Sequence, residues 1–339
     1  MYRLLFRPLL FHLEPERAHT LTIRLMRLVG SLPGLAALLR VWYRAPSRPV
    51  HAFGLDFPNP VGLAAGYDKD GLAWRGLAGL GFGHIEIGTV TPRPQLGNPR
   101  PRIFRLPQDA ALINRMGFPG RGAQFVARRL KGRRPSGLSL GVNLGINRDT
   151  PLDKSAQDYL LLIRVFAPLA DYLAVNVSSP NTLGLRRLQG RQALDGLLSK
   201  LSQERKAQEI HLQRKIPVLV KLSPDLADDE LDDALESILE WGIDGVVATN
   251  TSINREGLIS WKKDEAGGLS GHPLGEQSLQ MIQKIYRRTT GKLPIIGVGG
   301  IMSPADARQR LDAGATLVQV YTGLIYEGPG LVRRILKGL

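Results

Sequence analysis

Ala174-Val175-Asn176-Val177-Ser178-Ser179-Pro180-Asn181 decides how this chain folds. Tyr172 to Val177 is β-branched and aromatic, the pattern of a buried strand, with one Asn inside it. The strand then stops at Ser-Ser-Pro-Asn, because Pro180 cannot continue a ladder and small polar residues favour a turn. An amide and two hydroxyls therefore sit together at the carboxyl end of a strand. In a parallel α/β protein that is where ligands bind. An ordinary turn that caps the next helix is the competing reading of this stretch alone, so the other strand ends decide.

Seven further buried-type runs share the pattern: Val61–Ala65, His84–Thr89, Leu138–Leu144, Pro217–Leu222, Gly245–Thr249, Pro294–Val298 and Leu317–Tyr321. Helical periodicity separates most of them, over Ala156–Phe166, Gln192–Gln208, Asp228–Glu240, Gly275–Arg288 and Pro304–Ala313. Eight strand–helix units predict a closed (β/α)8 TIM barrel, with a doubly wound open sheet as the alternative. Residues 91–119 form a long insertion, rich in Pro and Arg, expected to cross the barrel mouth as a lid or rim. Leu185 to Arg191 reads as a second, mobile loop.

Residues 1–45 stand apart as an N-terminal helical extension, and 46–339 as the barrel. Leu4 to Leu13 is short and apolar nearly all round. Glu14-Pro15-Glu16 opens a helix to about Leu28, since Pro suits a first turn and acids suit its positive end. Ser31 to Gly34 reads as a turn and Leu35 to Val41 as a third helix. The first 50 residues hold eight Arg and two Glu. Short basic helices with exposed Leu and Phe fit a membrane surface, and equally a cap on the barrel.

The 339 residues are 43% hydrophobic, enough for a full core. No cysteine is present, which excludes disulfides, Cys-based metal sites and a thiol base. A net charge of +15 points to an anionic partner: nucleic acid, phospholipid, or a phosphorylated or carboxylated ligand. No uncharged run spans a bilayer and no cleavable signal is visible. The expected location is the cytoplasm, unless the chain docks on a surface.

Every strand end offers a polar side chain or bare glycine backbone: Gly66-Tyr67-Asp68-Lys69, Gly88-Thr89, Asn143, Asn176 with Ser179, Lys221, Thr249-Asn250-Thr251, Gly297-Val298-Gly299-Gly300 and Tyr321-Thr322-Gly323. Eight such ends converging on one mouth make a site. Lys221 lies in the apolar run Val218-Leu219-Val220-Lys221-Leu222, where an unpaired ammonium is costly. It needs an anionic partner, either within the protein or on a ligand such as the N1–C2 edge of a flavin. Glycines after strand seven, closed by Tyr321-Thr322-Gly323 after strand eight, suit a phosphate. Lys69 is placed for a substrate carboxylate, and Asn114-Arg115-Met116-Gly117-Phe118 for ligand contact from the insertion. His19 by itself reads as a helix-packing residue.

Ala64-Ala65-Gly66-Tyr67-Asp68-Lys69, Ile87-Gly88-Thr89-Val90-Thr91-Pro92, Asn114 to Phe118, Asn176 to Asn181 and Gly297 to Gly300 together resemble the dihydroorotate dehydrogenase family, in its membrane-associated, quinone-reducing class. The likeness runs over nearly the whole chain, including Glu14-Pro15-Glu16-Arg17-Ala18-His19. It implies oxidation of dihydroorotate to orotate on FMN, in pyrimidine synthesis, with electrons passed to a membrane quinone. It implies Ser179 as the catalytic base, and Lys69, Asn114, Arg115, Met116, Gly117, Phe118, Asn176, Asn181, Asn250 and Thr251 around the substrate. For FMN it implies Ala65, Gly66, Tyr67, Asp68, Lys69, Thr89, Asn143, Asn176, Lys221, Thr249, Gly271, Gly300, Tyr321 and Thr322. His19, Arg105 and Tyr321 fall on the quinone side. Soluble relatives use a Cys base, which this chain lacks. Tyr67 replaces the more usual Leu or Phe of its motif. The resemblance further implies a peripheral position on the cytoplasmic face of the cell membrane through residues 1–45, no metal, no nucleic acid and no obligate protein partner. Another FMN barrel of the tRNA-uridine reductase type, or a non-enzymatic basic barrel that binds RNA or membrane, are the rival readings.

Overall fold

The computed structural model describes residues 2–339; Met1, first residue of the expected N-terminal unit, lies outside the described residues. Strand structure opens with an antiparallel hairpin, β1 (Val50–Ala52) and β2 (Leu55–Phe57). The remaining strands are β3 (Val61–Leu63), β4 (His84–Val90), β5 (Ile103–Leu106), β6 (Ala111–Asn114), β7 (Ser139–Leu144), β8 (Tyr172–Asn176), β9 (Val218–Leu222), β10 (Gly245–Ala248), β11 (Gly268–Gly271), β12 (Ile295–Val298) and β13 (Leu317–Val320). Strands β3, β4, β7, β8, β9, β10, β12 and β13 close in that order into a parallel barrel, so the barrel and not the open sheet forms. All eight expected strands are its staves.

Alternation along the staves divides the core. Val61, Leu63, Ile85, Ile87, Val218 and Val220 face the helices, while Ala64, Tyr172, Ala174, Leu219, Val247, Ile296 and Leu317 fill the interior. Phe53 and Phe57 of the hairpin plug the amino-terminal end. Two interior glycines make room for large neighbours: a Cβ at Gly141 would lie 2.2 Å from the Tyr172 ring, and one at Gly62 would lie 2.1 Å from His84.

The helices are α1 (Arg7–His12), α2 (Pro15–Ser31), α3 (Pro33–Trp42), α4 (Trp74–Leu77), α5 (Ala123–Leu130), α6 (Ser155–Phe166), α7 (Arg191–Leu212), α8 (Asp228–Glu240), α9 (Gly275–Arg288), α10 (Pro304–Asp312), α11 (Thr322–Glu327) and α12 (Leu331–Gly338). The Glu14 carboxylate caps α2, accepting from the N–H groups of Glu16 and Arg17 at 3.0 and 2.9 Å. Only Leu32 separates α2 from α3, where a four-residue turn was expected, because Pro33 suits the first position of a new helix. Among the described residues no single helix is long and apolar enough to cross a membrane, and α2 and α3 meet at a bend of 109°.

Backbone contact holds α2 against α4. A Cβ on Gly76 would sit 1.9 Å from the Met26 carbonyl oxygen, and one on Gly30 would sit 2.6 Å from Gly76 N. The second tether is ionic. Glu16 receives Arg102 at 2.7 Å and Arg100 at 3.0 Å. Burial pushes the Glu16 carboxyl up, but bonds and charge from the two arginines outweigh it and hold the group below its ordinary value. The N-terminal helices are thus locked to the insertion.

The insertion is a built rim. Strands β5 and β6 pair antiparallel, and β11 joins β6 with Gly268 opposite Asn114. The expected mobile loop is also ordered locally: Leu185–Gln189 is a 3-10 turn whose Leu185 and Leu188 are buried.

Candidate active site

One cavity opens at the carboxyl ends of the staves. Ser179 and Lys221 both line it, together with Lys69, Asn114, Phe118, Asn176, Asn181, Asn250 and Thr251. Ala65, Gly66, Thr89, Met116, Gly117, Thr249, Gly271, Gly300, Tyr321 and Thr322 complete the expected set in the wall. Four residues assigned from sequence to the substrate or FMN lie elsewhere. Arg115 turns away, donating to Glu265 at 2.6 Å and stacking over Phe104. Asp68 is a buried cap whose carboxylate accepts from Leu72 N and Ala73 N at 2.8 and 2.7 Å. Tyr67 faces a second cavity, and Asn143 sits one layer deeper, under Thr89 and Asn176.

The amides form an oriented chain. Asn143 Nδ2 donates to the buried Glu86 carboxylate at 2.8 Å, which leaves its oxygen to accept from Thr89 Oγ1 at 2.6 Å and Asn176 Nδ2 at 3.1 Å. Asn176 Oδ1 then accepts from Asn250 Nδ2 at 3.1 Å. An acceptor-only carboxylate at the base thus fixes which face each amide shows the cavity. Gln319 and Tyr172 also donate to Glu86, at 3.0 and 3.3 Å.

Ser179 is buried, and its Oγ accepts the N–H of Asn181 at 3.2 Å. Lys221 is buried too, and among the described residues its ammonium has no hydrogen bond or ion pair, although burial pushes it down in pKa and the Glu86 charge opposes that shift. Lys69 donates to the Gly66 carbonyl at 2.8 Å. Burial draws its pKa down to about 8, with Glu16 acting in the opposite sense.

The second cavity, about 590 Å³, lies between the N-terminal helices and the barrel. It is walled by side chains such as Phe11, Ala18, Leu39, Leu112 and Ile325, with His19, Tyr67, Arg105 and Tyr321 among its polar points. Tyr321 lines both cavities. Its ring meets Tyr67 edge-on at 5.8 Å, and Tyr67 meets His19 at 5.2 Å. Burial, then the nearby Lys69 charge, lowers the His19 pKa to about 3, so its ring is neutral at ordinary pH. Most of Arg105 is spent capping α1: it donates to the carbonyls of Leu10, Phe11 and Leu13.

Sequence reading passed over Gln319 and Ser270 of the cavity wall. Gln319 carried a signal, a lone amide in Leu317-Val318-Gln319-Val320, of the kind that marked Lys221. Ser270 had none, since its strand is half glycine.

A (β/α)8-barrel enzyme is what this architecture and mouth define. A dihydroorotate dehydrogenase family model matches residues 49–339. A dihydroorotate dehydrogenase (quinone) of Acidithiobacillus ferrooxidans is 52% identical, with 99% of this chain and 93% of that protein covered. One from Roseiflexus sp. (strain RS-1) is 50% identical over 99% of this chain and 92% of its own length. A solved DHODH from Eimeria tenella in complex with ferulenol superposes with a TM-score of 0.86 at 38% identity, covering 96% of this chain and 90% of that one. The chain belongs to the dihydroorotate dehydrogenase family.

Proposed function

We infer that this chain oxidises dihydroorotate to orotate and passes the electrons to a quinone, a step of pyrimidine synthesis. The observation that carries this reading is the single cavity that joins Ser179, the asparagine ring and the unpartnered Lys221. The reading draws further support from the curated relatives, which are quinone enzymes of nearly the same length.

The residues fit FMN. Lys221 is a buried cation in want of an anionic partner, and the flavin N1–C2 edge is one. Gly66, Gly271 and Gly300 have φ of +98°, +104° and +69°, which suits glycine and brings bare backbone to the wall. Gly300, Tyr321 and Thr322 would hold the phosphate, and Ala65, Thr89 and Thr249 the ring, with Asn143 orienting Thr89 from behind. Bound there, FMN supplies a two-electron acceptor for the substrate C6 hydride.

This chain supplies the rest. Ser179 Oγ takes the C5 proton as its own hydroxyl proton departs; the Asn181 N–H on Oγ favours the negative charge that this departure leaves on the oxygen. Asn114, Asn176, Asn181, Asn250 and Thr251 match a neutral imide ring with both donors and acceptors. Lys69 pairs with the carboxylate. Met116 to Phe118 and the rim sheet keep water out. Residues 1–45 serve as the quinone-access unit, with His19, Arg105 and Tyr321 at its inner end. Many of the large exposed apolar side chains lie on these helices, including Leu4 (80% exposed), Leu38 (62%) and Trp42 (65%). With Arg24, Arg27 and Arg40 beside them they suit the anionic cytoplasmic surface of the cell membrane.

The purified protein is expected to be yellow and to bleach anaerobically with dihydroorotate. A colourless protein, or a yellow one that dihydroorotate leaves unbleached, overturns the reading. Substrate affinity should also carry the signature of Lys69. The free Lys69 ammonium loses its proton as pH rises through about 8, whereas a bound carboxylate keeps the lysine protonated to higher pH. Binding then takes up a proton, and the orotate Kd should rise by up to about tenfold per pH unit above that point. Titration of the flavin spectrum with orotate measures this, and Lys69→Arg should flatten the slope.

A further inference from the structure

Arg186, on the turn that follows the Ser179 loop, has no part in the chemistry above, yet three segments of the mouth meet on it. Its Nε donates to the Ser178 carbonyl at 3.2 Å. One terminal nitrogen donates to Asp225 Oδ2 at 2.8 Å, and the other to the Thr251 carbonyl at 3.0 Å. These partners follow β8, β9 and β10 respectively. Asp225 is itself held, accepting from Ser252 Oγ at 2.5 Å, Ile253 N at 3.0 Å and Gln277 Nε2 at 3.1 Å. The turn that carries Arg186 has a firm footing, since Leu185 and Leu188 are buried and Gln189 Oε1 accepts from Ser223 N at 2.9 Å. On the Ser179 side the chain turns outward, with Leu183 97% exposed and Gly184 at φ +69°.

We propose that Arg186 is a positioning residue for the reaction: its guanidinium fixes the Ser178 carbonyl, and so the adjoining Ser179 hydroxyl, against the Thr251 end of the substrate ring. The proposal rests on Ser179 being the base. Only a planar fork spans three acceptors at fixed angles; a lysine ammonium replaces one bond well and the set poorly. Loss of the fork frees the Ser178 peptide to shift. A displacement of about 1 Å between base and substrate costs on the order of 100-fold in rate.

The test uses the FMN-loaded full chain with Arg186→Gln, Arg186→Lys and Asp225→Asn, with Ser179→Ala in parallel and with Arg186→Gly for the chemical-rescue arm alone. Anaerobic flavin reduction by dihydroorotate should slow by about 100-fold in the two Arg186 variants and less in Asp225→Asn. Orotate Kd should change much less than the rate. The deuterium isotope effect from C5 should grow, because proton removal has become harder, and guanidinium salt at millimolar level should restore part of the rate in Arg186→Gly. If an Arg186 variant does not fold, Asp225→Asn carries the same readouts. Normal reduction in the Arg186 variants beside a slow Ser179→Ala overturns this proposal alone. Equal loss of rate and orotate binding, with an unchanged isotope effect and no guanidinium rescue, means mere loop stability and also overturns it. Fast reduction by Ser179→Ala removes the base assignment, and this proposal falls with it.

Discussion

Ser179→Ala is expected to keep its flavin colour and its affinity for orotate, yet to be reduced by dihydroorotate between about 100-fold and 10,000-fold more slowly, the range a positioned general base contributes. The expectation follows from how little else could take the proton. Among the described residues no histidine lines the cavity, and its lysines are Lys69 and Lys221. Serine is a poor base in water, and this site answers that weakness. Burial of Ser179 removes competing water, and the Asn181 N–H favours negative charge on Oγ. We propose that Thr182, buried three residues on, and Phe118 of the cavity wall frame the exit of the proton from Oγ. Ser179→Cys refines the test. A thiol ionises far more readily than a hydroxyl, with an ordinary value of about 8.5, so this variant should recover part of the lost rate, and its reduction should rise with pH as the thiolate forms. Stopped-flow flavin bleaching gives both rates, and orotate titration shows that the pocket is intact. Near-normal reduction of Ser179→Ala would transfer the base to another residue.

The staves were legible because each is a run of β-branched and apolar residues cut by glycine, proline or a polar end. Val218 to Leu222 shows why the site was legible with them, since a lysine in such a run announces its need for a partner. What escaped was non-local. β11 is Gly268-Leu269-Ser270-Gly271, without strand propensity, and it forms because Asn114 and Ile113 offer an open edge from far along the chain. β1 and β2 are three residues each, held as a plug by Phe53 and Phe57. Arg115 was read as a ligand contact from its neighbours, and only the approach of Glu265 explains why it turns away. Arg186 fell within a stretch read as a mobile loop; its meaning depends on three loops that share no sequence signal.

Removing residues 2–45 is expected to abolish quinone reduction while dihydroorotate still bleaches the flavin and a soluble dye still accepts its electrons. The two cavities meet at Tyr321, so a small dye has the mouth available, whereas a quinone has an apolar chamber built largely by the N-terminal helices. Phe11, Ala18, Met26, Val29 and Leu39 belong to the deleted half of that wall. A quinone head group that buries roughly 150 Å² against it, at about 25 cal/mol per Å², loses about 4 kcal/mol, or roughly three orders of magnitude in kcat/KM. The exposed leucines of α2 and α3 go with it, so liposome binding should fall in the same variant. Truncation also bares Trp74 and Leu77, on which α2 packs, and detergent must cover them. Ala18→Trp avoids that difficulty. It leaves α2 attached through Gly30, Gly76 and the Glu16–Arg102 pair, and places an indole in the chamber. It should raise the quinone KM and spare dye reduction. Quinone kinetics unchanged in both proteins would take the acceptor site away from this cavity and the membrane role away from these helices.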